Sequence, residues 1–221
     1  MQLQVLLQLE WWSFKPNLMQ GYILSTTRVR DEDLLVKILT KEQIYTLYRF
    51  YGARHSVVHL GHKIDFSIEK DLREIGKLRE PLHLAFSWEK EVQIRYFWQQ
   101  YLHLLNAHLR DITTLDSFYF SHLEEGAKRL RIENPKRCIL NLYAKLLNFE
   151  GRKNTLQTCL ICEQPLGDNI ILGRGLVCGH KGCMEGALFP RWQILAWLNL
   201  QGEFLDSNCV DNLWNLLTQG L

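Results

Sequence analysis

From Gly21 to about Glu69 apolar and polar residues alternate, and most of the apolar ones are β-branched or aromatic. A period of two sends successive side chains to opposite faces of a strand. GYILSTTRV, LLVKILT, IYTLYRFYG and HKIDFSIE are each strand-length and are separated by charged or glycine-containing turns. REPLHLAFSW adds a fifth. Strands this short and this closely spaced predict a small barrel or a compact sheet.

After Trp88 the period lengthens. In VQIRYFWQQYLHLLNAHL, residues Ile94, Phe97, Tyr101, Leu104, Leu105 and Leu109 recur at three- and four-residue steps, predicting a helix with one buried stripe. A second helix is expected from Ser117 through FYFSHLEEGAKRL. Asn134-Pro135, a capping side chain followed by a residue that needs no N–H, announces a third, which stops near Gly151. WQILAWLNL and CVDNLWNLL close the chain as two more. The fold class is therefore α+β. A β-rich module at 19–88 precedes a helical module at 89–221, which carries a cysteine-rich insertion at about 156–185 between its third and fourth helices.

Residues 1–18 differ in composition and directly precede Met19. They are read as a tail added by an upstream start codon, the alternative being a genuine amphipathic segment. The intact mass of the native protein separates the two.

With 221 residues the chain suits one large or two small domains, and 47% apolar with 23% charged residues is an ordinary globular balance. A net charge of +2 makes any basic surface a local one. No apolar run is long enough to span a membrane, and the opening lacks the basic start and small-residue site of a signal peptide. The expected compartment is the reducing cytoplasm, where clustered cysteines are metal ligands rather than disulfides.

Such a cluster lies in CLICEQPLGDNIILGRGLVCGHKGC. Cys159 and Cys162 have C-x2-C spacing, and Cys178, His180 and Cys183 offer a second half across a hairpin at NIILGRG. Five candidates compete for four positions. Cys178 with Cys183 gives an all-cysteine site, the preferred set; His180 with Cys183 gives a Cys3His site. Four protein ligands and no H-x-E or H-E-x-x-H pattern make the expected Zn2+ structural, one per chain. Cys138 and Cys209 sit on apolar helical faces as core thiols.

No phosphate-binding glycine loop or nucleophile elbow occurs, and His55, His59 and His62 lie between strands without an acidic partner. No enzyme is expected. In the β-rich module Arg28, Arg30, Lys37, Tyr48, Arg49, Tyr51, Arg54, His55 and Lys63 interleave cations with rings, a surface able to meet phosphates and bases. Farther on, Lys128, Arg129, Arg131, Lys136 and Arg137 gather around one Glu133. That patch suits phosphates or an acidic peptide.

MQGYILSTTRVRDEDLLVKILT resembles the opening of the bacterial RecO recombination-mediator proteins: a strand, a charged turn and a second strand ending in Leu-Thr. YRFYGARHS resembles the strand that runs into that family's Gly-Ala-Arg loop. The NPKR helix start, the FEGR helix end and the Cys-x2-Cys follow in order, over about residues 19 to 190. The resemblance implies an N-terminal OB-fold β-barrel and a helical domain with a zinc site at Cys159, Cys162, Cys178 or His180, and Cys183. It implies binding of single- and double-stranded DNA, annealing of complementary strands and, with RecR, loading of RecA on DNA coated by single-strand-binding protein. The C-terminal tail of that protein suits the patch at Lys128–Arg137. Carried over by position, Arg54 lies in the DNA-contacting loop, with Arg28, Arg30, Lys37 and Arg49 as neighbours. Many members continue Gly-Ala-Arg with more basic residues, whereas this chain continues HSVVHLGHK, so DNA contacts are expected from elsewhere too. The first eighteen residues have no counterpart. The expected function is a non-enzymatic, nucleoid-associated DNA repair mediator whose affinity falls steeply with salt. The alternative is a zinc-containing protein-interaction adaptor with incidental DNA contact.

Overall fold

The computed structural model describes residues 18–54, 57–70 and 75–219. Apart from Leu18, the extension expected at 1–18 lies outside them. The chain divides into two compact units, one reaching Phe86 and taking in Asp111–Ser121, the other formed by Ser87–Arg110 and His122–Leu221.

In the first unit β1 (Met19–Arg30), β2 (Asp33–Leu39), β3 (Ile44–Arg49), β4 (Lys63–Glu69) and β5 (Lys77–His83) close into a barrel in the order β1-β2-β3-β5-β4. β1, β2 and β3 form consecutive antiparallel pairs, and β4 pairs antiparallel with β1 and β5. One parallel pair, Tyr48 with Lys77, completes the ring. This is the OB-type barrel, and closure removes the exposed edges of an open sheet. The alternating residues Leu34, Val36 and Ile38 of β2 and Ile64 and Phe66 of β4 meet Ile23, Leu47, Val58 and Leu78 in its interior. Near its start β1 is paired on both edges, and Gly21 permits it. A Cβ there would come within 2.4 Å of the Ile38 Cγ2 and 2.9 Å of the Leu39 carbonyl oxygen.

A short return segment also joins this unit. The Ile44 N–H donates to the Thr113 carbonyl (2.8 Å) and the Leu115 N–H to that of Glu42 (2.9 Å). The pairing is non-local, so no periodicity along the chain announces it.

The helices are α1 (Val92–His108), α2 (Ser117–Arg129), α3 (Pro135–Phe149), α4 (Arg191–Leu198) and α5 (Ser207–Thr218). Those foreseen from the apolar stripes all form. The second unit is organised on α3, which buries Cys138, Ile139, Leu140, Leu142, Tyr143, Ala144, Leu146 and Leu147. The Asn134 side chain accepts from the Arg137 N–H at the start of α3, and Gly151 beyond its end takes φ +66°. Two buried indoles are satisfied by main-chain carbonyls: Trp88 donates to Ala127 (2.7 Å) and Trp197 to Leu140 (3.0 Å).

Arg137 ties the start of α3 to the turn before α5, donating to the carbonyls of Gly202 (2.5 Å) and Leu205 (2.8 Å). Arg137→Ala removes two charge-assisted bonds and is expected to cost about 3 kcal/mol. A fall in the urea midpoint checks this.

Between α3 and α4 lies a small sheet of β6 (Asn169–Leu172), β7 (Cys178–Gly179) and β8 (Leu188–Pro190) in the order β7-β6-β8. β6 and β7 are the expected hairpin. β8 is an addition, too short to show alternation. Among the described residues no helix is long and apolar enough to cross a membrane.

Candidate metal centre and nucleic-acid face

The cysteine-rich insertion folds as two turns held back to back. In the first, the Cys159 N–H donates to Gln164 and the Glu163 N–H to the Cys159 carbonyl, both at 2.9 Å. Glu163 closes this turn with φ +59°, a conformation that usually favours glycine. In the second, the N–H groups of Cys183 and Met184 both donate to the His180 carbonyl (3.0 and 3.1 Å). The Leu160 N–H bonds the Cys178 carbonyl at 2.9 Å and locks the halves together. Gly179 makes the approach possible, since a Cβ there would lie 2.6 Å from the Met184 sulfur and 3.3 Å from the Cys159 Sγ.

The donor atoms of Cys159, Cys162, His180 and Cys183 all lie within 4.8 Å of one another. The Cys162 and Cys183 Sγ atoms are 3.3 and 4.0 Å from the His180 Nδ1. A tetrahedral ion with sulfur and nitrogen bonds of about 2.3 and 2.0 Å has ligand separations of about 3.5–3.8 Å, so the cage has the right size. The imidazole is also oriented for the task. Its Nε2 faces the Pro165 carbonyl at 3.0 Å, so Nε2 carries the proton and the Nδ1 lone pair faces the sulfurs.

The backbone N–H of Cys162, aided by those of His180 and Ile161, draws the Cys159 thiol down to about 6. Sharing its proton with the Cys162 sulfur, with burial next, pushes Cys183 up to about 11. A Cys159 thiolate this close opposes ionisation of Cys183. A dication removes that conflict, and the residues fit one.

The preference for Cys178 as fourth ligand is corrected by this geometry. Cys178 is paired on β7 with Leu172, and its Sγ lies 3.5 Å from the Thr158 carbonyl and 3.8 Å from the Asn154 Nδ2. Its thiol is raised, chiefly by burial. The turn beginning at His180 carries the imidazole and Cys183 into the cage instead. Asn154 and the Pro165 carbonyl, which support the site from outside, carry no spacing signal and were not foreseen.

On the barrel, the residues expected to meet DNA separate into groups. Arg28 and Arg30 stand exposed near the end of β1, where Arg30 pairs with Asp33 across the turn. The 3-10 turn Gly52–Arg54 is tied to the same end by the Ala53 N–H, which donates to the Glu32 carbonyl (2.9 Å). Arg28, Arg30, Tyr51 and Arg54 are thereby brought together. Lys37 sits midway along β2, opposite Ser25 and Thr46, and Lys63 pairs with Tyr22 at the other end. The Lys63 ammonium lies 5.7 Å from the Phe120 ring centroid. Arg49 turns inward, its Nη1 donating to the Leu78 carbonyl (3.2 Å); burial and then Arg79 lower its pKa. That bond ties β3 to β5 and leaves Arg49 half-buried. His55 lies outside the described residues.

The grouped arginines have acidic company. Arg54 forms an ion pair with Glu32. Asp33 accepts from the Tyr48 hydroxyl (2.5 Å) and the Tyr51 N–H (2.8 Å), and these bonds, the Tyr48 one foremost, lower its pKa. The end of the barrel is therefore close to neutral. The patch at 128–137 is likewise largely occupied: Arg129 pairs with Glu125 and Glu133, Lys136 with Asp211, and Arg137 holds its two carbonyls. Lys128 and Arg131 remain exposed.

Residues 19–89 match the family model described as RecO N terminal. The barrel is similar to the RecO N-terminal domain. The match supports membership of the RecO family for a divergent chain, with the likeness found over this part alone. No curated protein matches the chain. The RecO match spans all five barrel strands and ends before α1, so the Cys3His cluster lies outside it. A DNA repair and recombination role, with DNA binding, attaches to the RecO barrel at the level of the family.

Proposed function

We propose that this RecO-type protein is a non-enzymatic recombination mediator that holds single and double strands of DNA and promotes their annealing. The observation that supports it most is the convergence of Arg28, Arg30, Arg54 and Tyr51 on one end of a RecO N-terminal barrel. The exposed Arg28 and Arg30 supply a modest number of phosphate contacts, and the exposed rings accept bases, so strands are gathered by both together. The Cys3His cage takes one Zn2+ per chain, which holds the insertion together. In the mediator reading RecR and the acidic tail of single-strand-binding protein are partners, and RecA is served indirectly, in the cytoplasm at the nucleoid. Lys128 and Arg131 are the cations left to meet an acidic tail.

Arg28→Ala combined with Arg30→Ala is expected to weaken single-strand binding and to flatten the plot of log affinity against log salt by about 0.7 per lost phosphate contact. Filter binding with oligothymidylate reads both. Unchanged affinity and slope would remove Arg28 and Arg30, and with them the phosphate contacts of this barrel end, from the DNA-binding role.

The second reading, a protein-interaction adaptor, is favoured by the ring pair Trp192 and Phe204. Both rings are half exposed and their centroids are 6.4 Å apart. Aromatic rings left in water on a helical unit suit a protein partner.

A further inference from the structure

At the end of β3 two large rings stand in water on a rigid support. Phe50 and Tyr51 are 43% and 59% exposed. Tyr51 has φ +50°, a left-handed conformation that a bulky side chain rarely adopts. It is held there from three directions. Its N–H donates to the Asp33 carboxylate at 2.8 Å, and the other oxygen of that carboxylate takes the Tyr48 hydroxyl. Its carbonyl accepts from the Arg54 N–H at 3.1 Å. Gly52, the next residue, is buried so closely that a Cβ would lie 2.9 Å from Leu34. The Arg54 guanidinium, fixed by Glu32, lies 5.4 Å from the Tyr51 ring centroid, and Tyr48 meets Phe50 edge-on at 4.8 Å.

A strained backbone that keeps an aromatic ring exposed is a preorganised surface. Its chemistry selects a flat π-faced group, because the surrounding charge does not favour polyanions strongly. Arg28, Arg30 and Arg54 are answered by Asp31, Glu32 and Asp33 within the same turns. A duplex hides its base faces and offers phosphates; an unpaired strand offers both. Resting on the DNA-binding reading above, we propose that Tyr51, flanked by Phe50, is a stacking platform for an unpaired nucleobase, so that this end of the barrel selects single strands over duplex. Ring contact replaces much of the phosphate contact that the sequence led us to expect.

The test uses the full chain and fluorescence anisotropy, with labelled oligothymidylate and a duplex of equal length, each titrated in dilute and moderate salt. Tyr51→Gly removes the ring at a position whose φ suits glycine, so loss of folding is not the expected cost. Tyr51→Phe keeps the ring. The unmodified protein is expected to bind the single strand more tightly than the duplex, with a salt slope no steeper than about −2 for three arginine contacts. Tyr51→Gly is expected to weaken single-strand binding by about fivefold to a hundredfold, the range for one lost base stack, and to leave duplex binding unchanged. Tyr51→Phe should behave as the unmodified protein. Equal losses on both DNAs, or single-strand affinity untouched by Tyr51→Gly, would overturn the platform. If the unmodified protein binds neither DNA in dilute buffer, the DNA-binding reading itself fails and the platform with it.

Discussion

Replacing His180 with alanine is expected to abolish stoichiometric metal binding and to unfold the insertion between α3 and α4. The three thiolates left behind hold one position fewer than a closed tetrahedral site, and the two cysteine turns lose the ion that ties them together. The insertion is mostly turns, and β6, β7 and β8 together contain nine residues. Elemental analysis should give about one zinc per unmodified chain and far less than one for His180→Ala. Limited proteolysis should then cut near Leu160 and Ile161, which are already exposed at the tip of the first turn. Cys178→Ser is the decisive companion. Its Sγ faces Thr158 and Asn154, so this variant should retain its zinc. Loss of the metal from Cys178→Ser with retention in His180→Ala would restore the all-cysteine set.

The second large effect concerns acid. His122 is 1% exposed, and its Nε2 meets the buried Tyr101 hydroxyl at 2.5 Å. Burial, with the Lys145 charge second, lowers its pKa from 6.5 to about 4. The unfolded chain therefore takes up this proton before the folded one does. The stability held by neutral His122 is complete above pH 6.5, declines as pH falls, and is lost by about pH 4. The displacement corresponds to about 3 kcal/mol, a large share of the stability of a small domain. Urea midpoints measured between pH 7 and pH 4 should fall accordingly. His122→Gln keeps an acceptor for Tyr101 without a titrating ring, so the difference between the two proteins should close as pH falls. Glu125, held low by Lys145 and Arg129 against the opposing effect of burial, contributes to both proteins and cancels in that comparison. Parallel curves for the two proteins would contradict the assignment.

Much of the architecture is visible along the chain because it depends on local rules. Alternation marks β1 to β5, and a three-to-four-residue stripe with Asn134-Pro135 and Gly151 marks α3. The parts that escaped notice depend on distant partners. Arg129, Lys136 and Arg137 look like a patch in sequence, yet Lys136 finds Asp211 and Arg137 finds the turn before α5. Arg49 has the composition of a phosphate ligand but is drawn into the β3–β5 closure. The fourth metal position was ambiguous because Cys178 and His180 are separated by a single glycine. Strand pairing of Cys178 decides between them, and pairing is a tertiary event. Acidic residues neutralising the arginines were present in VRDED, but only folding shows Glu32 on Arg54 and Asp33 under Tyr51.

Strand annealing tests the mediator role most directly. Two complementary labelled oligonucleotides are mixed with the full protein in dilute salt without nucleotide cofactor, and duplex formation is followed by energy transfer. A mediator that gathers strands on the barrel should accelerate pairing well beyond the spontaneous rate, and Arg28→Ala with Arg30→Ala should return the reaction toward that rate. Pairing no faster with the protein than without it would contradict the role assigned here.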